Sequence, residues 1–224
     1  MIVGKGLIAS IFSSLDSDEL LIFASGVSNS TCVIKSEYER EKKLLIESIR
    51  KNKDSKLIYF STCDVYDNLK NTMYVKHKLE IEEIIKKECN KWLIYRLPQV
   101  IGIGNRNNLL YFLVNNIIKG IPFDCSLFLE RNLIKKEELL YLGNIYSNIN
   151  NEIINLANPI NINVGNIVNI VEEITNKKSI INISEEKNKF EISLREDFPS
   201  DIFSETYYRD SIRDFIESFI IKNI

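Results

Sequence analysis

The segment Tyr74-Val75-Lys76-His77-Lys78 sets a phenol and an ammonium four residues apart. On a helix those two positions share a face. An ammonium beside a phenol favours the phenolate, which predicts a lowered pKa for Tyr74. Such a phenol can pass a proton to or from a substrate hydroxyl near neutral pH, and the ammonium of Lys78 can also hold a ribose. The spacing alone is common on helices; Thr62 gives it weight. Thr62 follows the apolar run Leu57-Ile58-Tyr59-Phe60, at the C-terminal end of what reads as a buried parallel strand. Ligands of open α/β sheets bind at those ends, where a threonine hydroxyl can bond the same substrate oxygen.

A second candidate lies at the start of the chain. Met1-Ile2-Val3 reads as a short strand, and Gly4-Lys5-Gly6-Leu7-Ile8-Ala9 follows at once and opens a helix. Glycines at such a turn let backbone amides approach a pyrophosphate, and the helix N-terminus adds unpaired N–H groups and partial positive charge. Ala9 takes the place of a third small residue that lets helix and strand pack closely. A tight turn with no ligand is the plain alternative.

The remaining reactive residue types form no further constellation. The four cysteines, Cys32, Cys63, Cys89 and Cys125, have no C-x-x-C spacing, and His77 is the single histidine, so no metal site is expected. Cys63 reads as a small buried residue and His77 as a surface one. The 29 basic and 31 acidic residues nearly cancel, to a net charge of −2, which gives no electrostatic case for nucleic acid. No apolar stretch approaches the ~20 residues of a membrane-spanning helix. With no secretory signal in the sequence, the expectation is a cytoplasmic, reduced protein without membrane or nucleic-acid partners.

The elements that must carry these residues alternate between strand and helix. Helical spacing runs from Leu7 to Leu15, Asp16-Ser17-Asp18 turns the chain, and Leu20–Ala24 is a continuous apolar run of strand length. Glu37–Ile49 is a charged helix, Lys56–Phe60 a strand, Tyr74–Glu88 a helix and Trp92–Tyr95 a strand. Leu109–Lys119 is a helix stopped by Gly120 and Pro122. Beyond it come a strand at 153–156, a helix at 164–175, short strands at 180–183 and 190–194, and a last helix at 207–221. The alternation predicts a parallel sheet with helices on both faces and right-handed crossovers. Residues 1–105, with the returning strand near 153–156, make a Rossmann-like nucleotide-binding core, and 106–224 mainly a small α/β substrate lobe.

Taken in order, these pieces resemble the extended short-chain dehydrogenase/reductases, the NAD-dependent nucleotide-sugar epimerases, dehydratases and ketoreductases. The matching segments are Gly4–Ala9, Phe23-Ala24-Ser25-Gly26, Phe60-Ser61-Thr62-Cys63-Asp64-Val65-Tyr66, Tyr74-x-x-x-Lys78, Arg96-Leu97-Pro98-Gln99-Val100-Ile101-Gly102 and Arg131-Asn132-Leu133-Ile134. The resemblance runs from residue 1 to about 175. It implies NAD or NADP at Gly4, Lys5, Gly6, Leu7, Ile8, Ala24, Ser25, Gly26, Lys78 and Pro98. It implies Thr62, Tyr74 and Lys78 as the catalytic set, with Tyr74 the acid/base in hydride transfer to or from a nucleotide-activated sugar. Gln99 and Asn108 are its candidates near the substrate phosphates. Arg131 and Arg195 are weaker phosphate-binding candidates, for which a surface ion pair is the favoured role. Polysaccharide precursor synthesis is the setting it implies.

The chain departs from that pattern in instructive ways. The glycine turn is one residue short. Only a few residues separate Leu15 from Leu20, so two strands and a helix on the adenosine side are missing. The first strand is then a sheet edge, and edges need covering; a partner subunit, in a homodimer, could do so. No acidic or basic residue is placed to choose NAD from NADP, and cofactor binding is weakened or lost on this account. Cys63-Asp64 stands where the dehydratases carry Asp-Glu, which argues against dehydration. A catalytically degenerate nucleotide- or sugar-nucleotide-binding protein, or an interaction module, is the alternative to an enzyme.

Overall fold

The computed structural model of the chain describes residues 1–102 and 108–223; the expected division at 105/106 lies outside them. The elements are β1 (Ile2–Val3), α1 (Leu7–Ile11), β2 (Leu20–Phe23), α2 (Lys35–Lys51), β3 (Lys56–Thr62), α3 (Met73–Glu88), β4 (Trp92–Leu97), β5 (Gln99–Ile101) and α4 (Leu109–Lys119). They continue with β6 (Phe123–Ser126), β7 (Glu130–Arg131), β8 (Leu133–Lys135), α5 (Lys136–Tyr146), β9 (Glu152–Asn155), β10 (Ile162–Asn163), α6 (Val164–Thr175), β11 (Ile181–Ser184) and α7 (Tyr207–Asn223).

The central sheet has the order β1-β2-β3-β4-β9. Every pair in it is parallel. Side chains of a strand alternate between faces, and the two faces meet different helices. Ile22, Ile58, Phe60, Leu93, Tyr95 and Ile154 pack with Ile11 and Phe12 and with Leu139, Leu142 and Tyr146 of α5. Leu21, Phe23, Leu57, Tyr59 and Ile94 pack with Leu45 and Ile49 of α2 and Ile81 and Ile85 of α3. All seven residues of β3 are buried, as its position in the middle of a doubly covered sheet requires. The register sets Val3 beside Phe23, and Thr62 beside Leu97.

In a doubly wound sheet of order 3-2-1-4-5-6 the first strand lies inside, and the order reverses there. Here the sheet grows in one direction only from β1. Among the described residues β2 is its sole sheet neighbour. The connection explains this: α1 passes into a 3-10 turn at Phe12–Leu15 and reaches Leu20 with no room for another strand.

A second core joins α4, α6 and α7 through Leu113, Val114, Ile117, Ile167, Val168, Val171, Ile212, Phe215 and Ile216. Around it β5 pairs with β8 and β6 with β11, both parallel, and β7 with β10 antiparallel. Two expectations change. The segment 190–194 is not a strand; Phe190 makes one isolated antiparallel bridge, to Asp67. Helix α5, which the periodicity did not reveal, lies on the central sheet with β9, so part of the segment assigned to the lobe builds the core. The helix contains Gly143. A Cβ there would stand 2.3 Å from Cε1 of Phe12, so the glycine lets α1 and α5 close on each other.

Candidate functional site

Thr62 ends β3, and its hydroxyl accepts the Asp64 amide at 3.1 Å, which starts the 3-10 turn Cys63–Tyr66. Thr72 caps α3 by accepting the Val75 amide at 3.3 Å, so helix α3 begins just before Tyr74. Those two caps set Tyr74 and Thr62 near each other, close enough for the threonine side chain to act on the pKa of the phenol. Tyr74 is only 8% exposed. Val27 and Cys32 from the loop after β2, Tyr38 of α2, and Val65 and Val75 surround it. Burial, with the Asp64 carboxylate next, raises its pKa; the Thr62 hydrogen bond offsets part of this, and Glu41 and Tyr38 raise it further. The expected lowering by Lys78 is therefore reversed.

Burial accounts for the rise, and Lys78 does not offset it because its donors are engaged elsewhere. Residues 74, 78 and 82 form one stripe of α3 that faces the sheet, as the i, i+4 rule places them. The Lys78 ammonium is turned toward Tyr59, whose hydroxyl lies 2.9 Å away, and toward Oε1 of Glu41 at 3.1 Å. Its remaining contact is the Phe60 carbonyl at 3.5 Å. Three donors have three protein acceptors. Glu41 is fully buried on α2. Its carboxylate also accepts the Val27 amide at 2.7 Å and the Tyr59 hydroxyl at 2.7 Å. His77 Nε2 stands 3.1 Å from Glu41 Oε2, out of hydrogen-bond alignment. Burial would push the Glu41 carboxyl up; Lys78, His77, the Val27 amide and Tyr59 outweigh it and hold it well below 4.5. Burial pulls the Lys78 ammonium down, and Glu41 pushes back. Gly26 closes the cluster: a Cβ there would lie 2.6 Å from the Lys78 Nζ and 2.8 Å from Glu41 Oε1.

Glu82, one turn further along α3, takes a two-point ion pair from Arg96 of β4, at 2.9 and 2.6 Å, and the Ser61 hydroxyl at 2.6 Å. Arg96 reaches on to the Tyr66 hydroxyl at 2.9 Å, which meets Asn155 at the end of β9. The C-terminal edge of the sheet is thus laced by two buried carboxylates, each with its own cation.

The other expected residues fall as follows. Gly4 has φ +135°, and a Cβ would clash with the Ala24 carbonyl at 2.3 Å; the turn needs glycine to lie against β2. Gly6 precedes α1, and a Cβ there meets nothing within 4 Å, so this point of the turn is open. Lys5 is exposed, and Leu7 and Ile8 are half-buried against the α1–α5 side of the sheet. Ala24, Ser25 and Gly26 leave the end of β2 beside Gly4, and the Ala24 amide bonds the Val3 carbonyl at 2.8 Å. Pro98 and Gln99 are half-buried where β4 gives way to β5. Asn108 caps α4 through the Tyr111 amide at 2.7 Å, and its side-chain Nδ2 is buried with no hydrogen-bond partner among the described residues. Arg131 lies 3.7 Å from the Asp67 carboxylate.

Two expectations, for His77 and Lys78, are corrected, and Arg195 takes the ion-pair role favoured for it over phosphate binding, with Glu152 and Asp197. Glu152 begins β9, so this arginine sits at the opposite end of the sheet from Thr62 and serves the tail's packing on the β9 edge. His77 is buried, with its ring 4.7 Å from that of Tyr38, because its helical position faces α2 rather than solvent. Lys78 meets protein acceptors where a ribose contact was expected. Cys63 is buried, and burial with the Asp64 charge raises its thiol pKa, so it is no nucleophile. Sequence reasoning missed Glu41, although a signal exists: Tyr38, Glu41, Leu45, Ser48 and Ile49 form the buried stripe of α2, and only Glu41 among them is charged.

This architecture is a Rossmann-like α/β fold with a parallel central sheet and a small C-terminal α/β lobe. MoeE5 in complex with UDP-glucose and NAD superposes with a TM-score of 0.75 at 13% identity, over 96% of this chain and 83% of that one. The dTDP-glucose 4,6-dehydratase of Bacillus anthracis in complex with NAD gives 0.73 at 12% identity, over 97% and 77%. The UDP-glucose 4-epimerase of Thermotoga maritima with UDP-glucose gives 0.71 at 14%, over 97% and 82%. At such identities the likeness establishes the fold. No protein-family profile and no curated protein matches the sequence. Among the described residues no helix is long and apolar enough to cross a membrane.

Residues at this edge fit a nicotinamide dinucleotide in part. The open turn at Gly6 and the Thr62–Tyr74 hydroxyl pair suit it; the one-sided sheet provides no second wall for an adenosine, and Lys78 faces inward.

Proposed function

We propose that this chain is an NAD(P)-dependent enzyme acting on a nucleotide-activated sugar, as an epimerase or a ketoreductase, with Tyr74 as the acid/base. The observation that carries the reading is the paired hydroxyls of Thr62 and Tyr74 at the C-terminal edge of a five-stranded parallel sheet. Ligands of open α/β sheets sit outside that edge. The cofactor would be held by Gly4, Lys5, Gly6, Leu7 and Ile8 of the first turn, by Ala24, Ser25 and Gly26, and by Pro98. When bound, nicotinamide supplies hydride exchange with a sugar carbon. Thr62 orients the oxygen on that carbon, and Tyr74 moves its proton. Gln99, Asn108 and Arg131 are the substrate-side candidates. The reading carries with it a cytoplasmic role in polysaccharide precursor synthesis and a homodimer that covers β1.

The test is turnover of a panel of UDP-, GDP-, CDP- and dTDP-sugars by wild type and by Tyr74→Phe. The variant is expected to lose turnover by about 100-fold or more while keeping its melting temperature. Full activity in Tyr74→Phe ends the reading.

A second reading is favoured by the inward commitment of Lys78 and the one-sided sheet: a sugar-nucleotide-binding protein that has left redox chemistry behind. Calorimetric titration separates the two, since this protein would bind a nucleotide-sugar and neither NADH nor NADPH.

A further inference from the structure

We propose that Glu41 is a positioning residue of the Tyr74 site: it commits the Lys78 ammonium to the protein's own interior, so that its N–H donors serve Glu41, Tyr59 and the Phe60 carbonyl rather than the Tyr74 hydroxyl. The inference rests on the acid/base reading of Tyr74 given above and names the residue that governs it.

Lys78 has three N–H donors, and Glu41, Tyr59 and the Phe60 carbonyl occupy them. The ammonium lies 5.8 Å from the centre of the Tyr74 ring but 4.9 Å from that of Tyr59. Glu41 in turn has two partners besides the lysine, the Val27 amide and the Tyr59 hydroxyl, that hold its carboxylate in place. The backbone at Gly26 lies so close to both charges that a ligand atom has no approach from that side. The pair carries no net charge. What Tyr74 meets from each neighbouring element is the Thr62 hydroxyl of β3, the Asp64 carboxylate of the 3-10 turn with Lys70 2.6 Å from it, Cys32 of the loop after β2, Tyr38 and Glu41 of α2, and on its own helix Lys78, paired with Glu41, and His77, which lies against Tyr38 and Glu41. The Val27 contact also ties the loop after β2, whose Val27 and Cys32 pack on the phenol, to the same carboxylate. One glutamate thus sets both the charge around Tyr74 and the cover over it.

Two NMR readouts test this without relying on turnover. In wild-type protein labelled at lysine 15Nζ, the Lys78 ammonium is expected to exchange its protons at least about tenfold more slowly than the exposed lysines, because its donors are bonded and buried. Addition of NADH should move the Tyr74 13Cζ signal, assigned from its loss in Tyr74→Phe, and leave Lys78 in place. Fast exchange, or a Lys78 signal that moves with the ligand as a ribose contact would require, overturns the proposal. In Glu41→Gln the unmasked ammonium should lower the Tyr74 titration midpoint by about one pH unit or more, and Glu41→Gln/Lys78→Met should bring it back toward wild type. A midpoint unchanged in Glu41→Gln overturns it equally, and the wild-type exchange measurement decides where that variant does not fold. Turnover that survives Tyr74→Phe would remove the enzymatic reading and leave these signals as they are, so the two failures are distinguishable.

Discussion

Glu41 is a fully buried carboxylate at this edge, and its charge makes a prediction of its own. A carboxyl whose folded pKa lies well below its ordinary value of 4.5 stays ionised in the native protein under conditions that protonate it in the unfolded chain. Its contribution to stability is then fully present above about pH 4.5 and is lost as pH falls below that value. The urea midpoint of wild type should fall from pH 5 toward pH 3, and in Glu41→Gln that acid-dependent fall should be shallower. Other depressed carboxylates, such as Glu172 at about 2 through Lys178 and Ser179 against the cost of its own burial, act alike in both proteins and drop out of the difference. An equal slope in the two proteins would show that Glu41 is not held in its ionised form. The removal also leaves Lys78 unpaired in the interior, which costs about 3–5 kcal/mol where such pairs have been broken.

At the scale of elements, the contact between α1 and α5 decides how the first turn is presented. Phe12 is fully buried, 4.6 Å from the ring of Phe60, and its edge lies where Gly143 has no side chain. Gly143→Ala gains helix propensity of about 1 kcal/mol and loses it to overpacking of about 1–3 kcal/mol. The net expectation from urea denaturation is a less stable protein. Combined with Phe12→Leu the loss should be smaller than the sum of the two single changes, since the substitutions share one contact. Strict additivity would mean that the helix shifts freely and that the glycine is not required. The helix itself escaped periodicity because Leu139, Leu140, Tyr141 and Leu142 run together and Tyr141 and Ile145 are exposed, which blurs the apolar stripe.

For the molecule as a whole, the order β1-β2-β3-β4-β9 leaves the glycine turn at the sheet's edge rather than at its middle. A dinucleotide normally lies across two mononucleotide-binding halves that meet at the first strand. One of those halves is missing, so on the proposed cofactor reading the adenosine contributes little. Reduced nicotinamide mononucleotide and NADH should bind within about tenfold of each other, a difference of about 1.4 kcal/mol or less, as measured by calorimetry. NADH binding far more tightly than that would mean that another surface, in this chain or in a partner copy, replaces the missing wall.

The sequence by itself determined the alternation of strands and helices, the parallel sheet and the missing strands after the first helix. Each of these follows from local signals: runs of apolar residues, their period and glycine turns. Only the tertiary structure decided the charge around Tyr74. Lys78 has the spacing to serve the phenol, but an ammonium goes to its best acceptors. Those are Glu41 and Tyr59, 37 and 19 residues away in the chain and brought together when α2 and α3 pack on the same face of β3. The same holds for His77 and Arg195, whose partners lie on other elements. A spacing fixes which face a side chain is on; what stands opposite that face is set by packing, and electrostatics in a buried site depends on it.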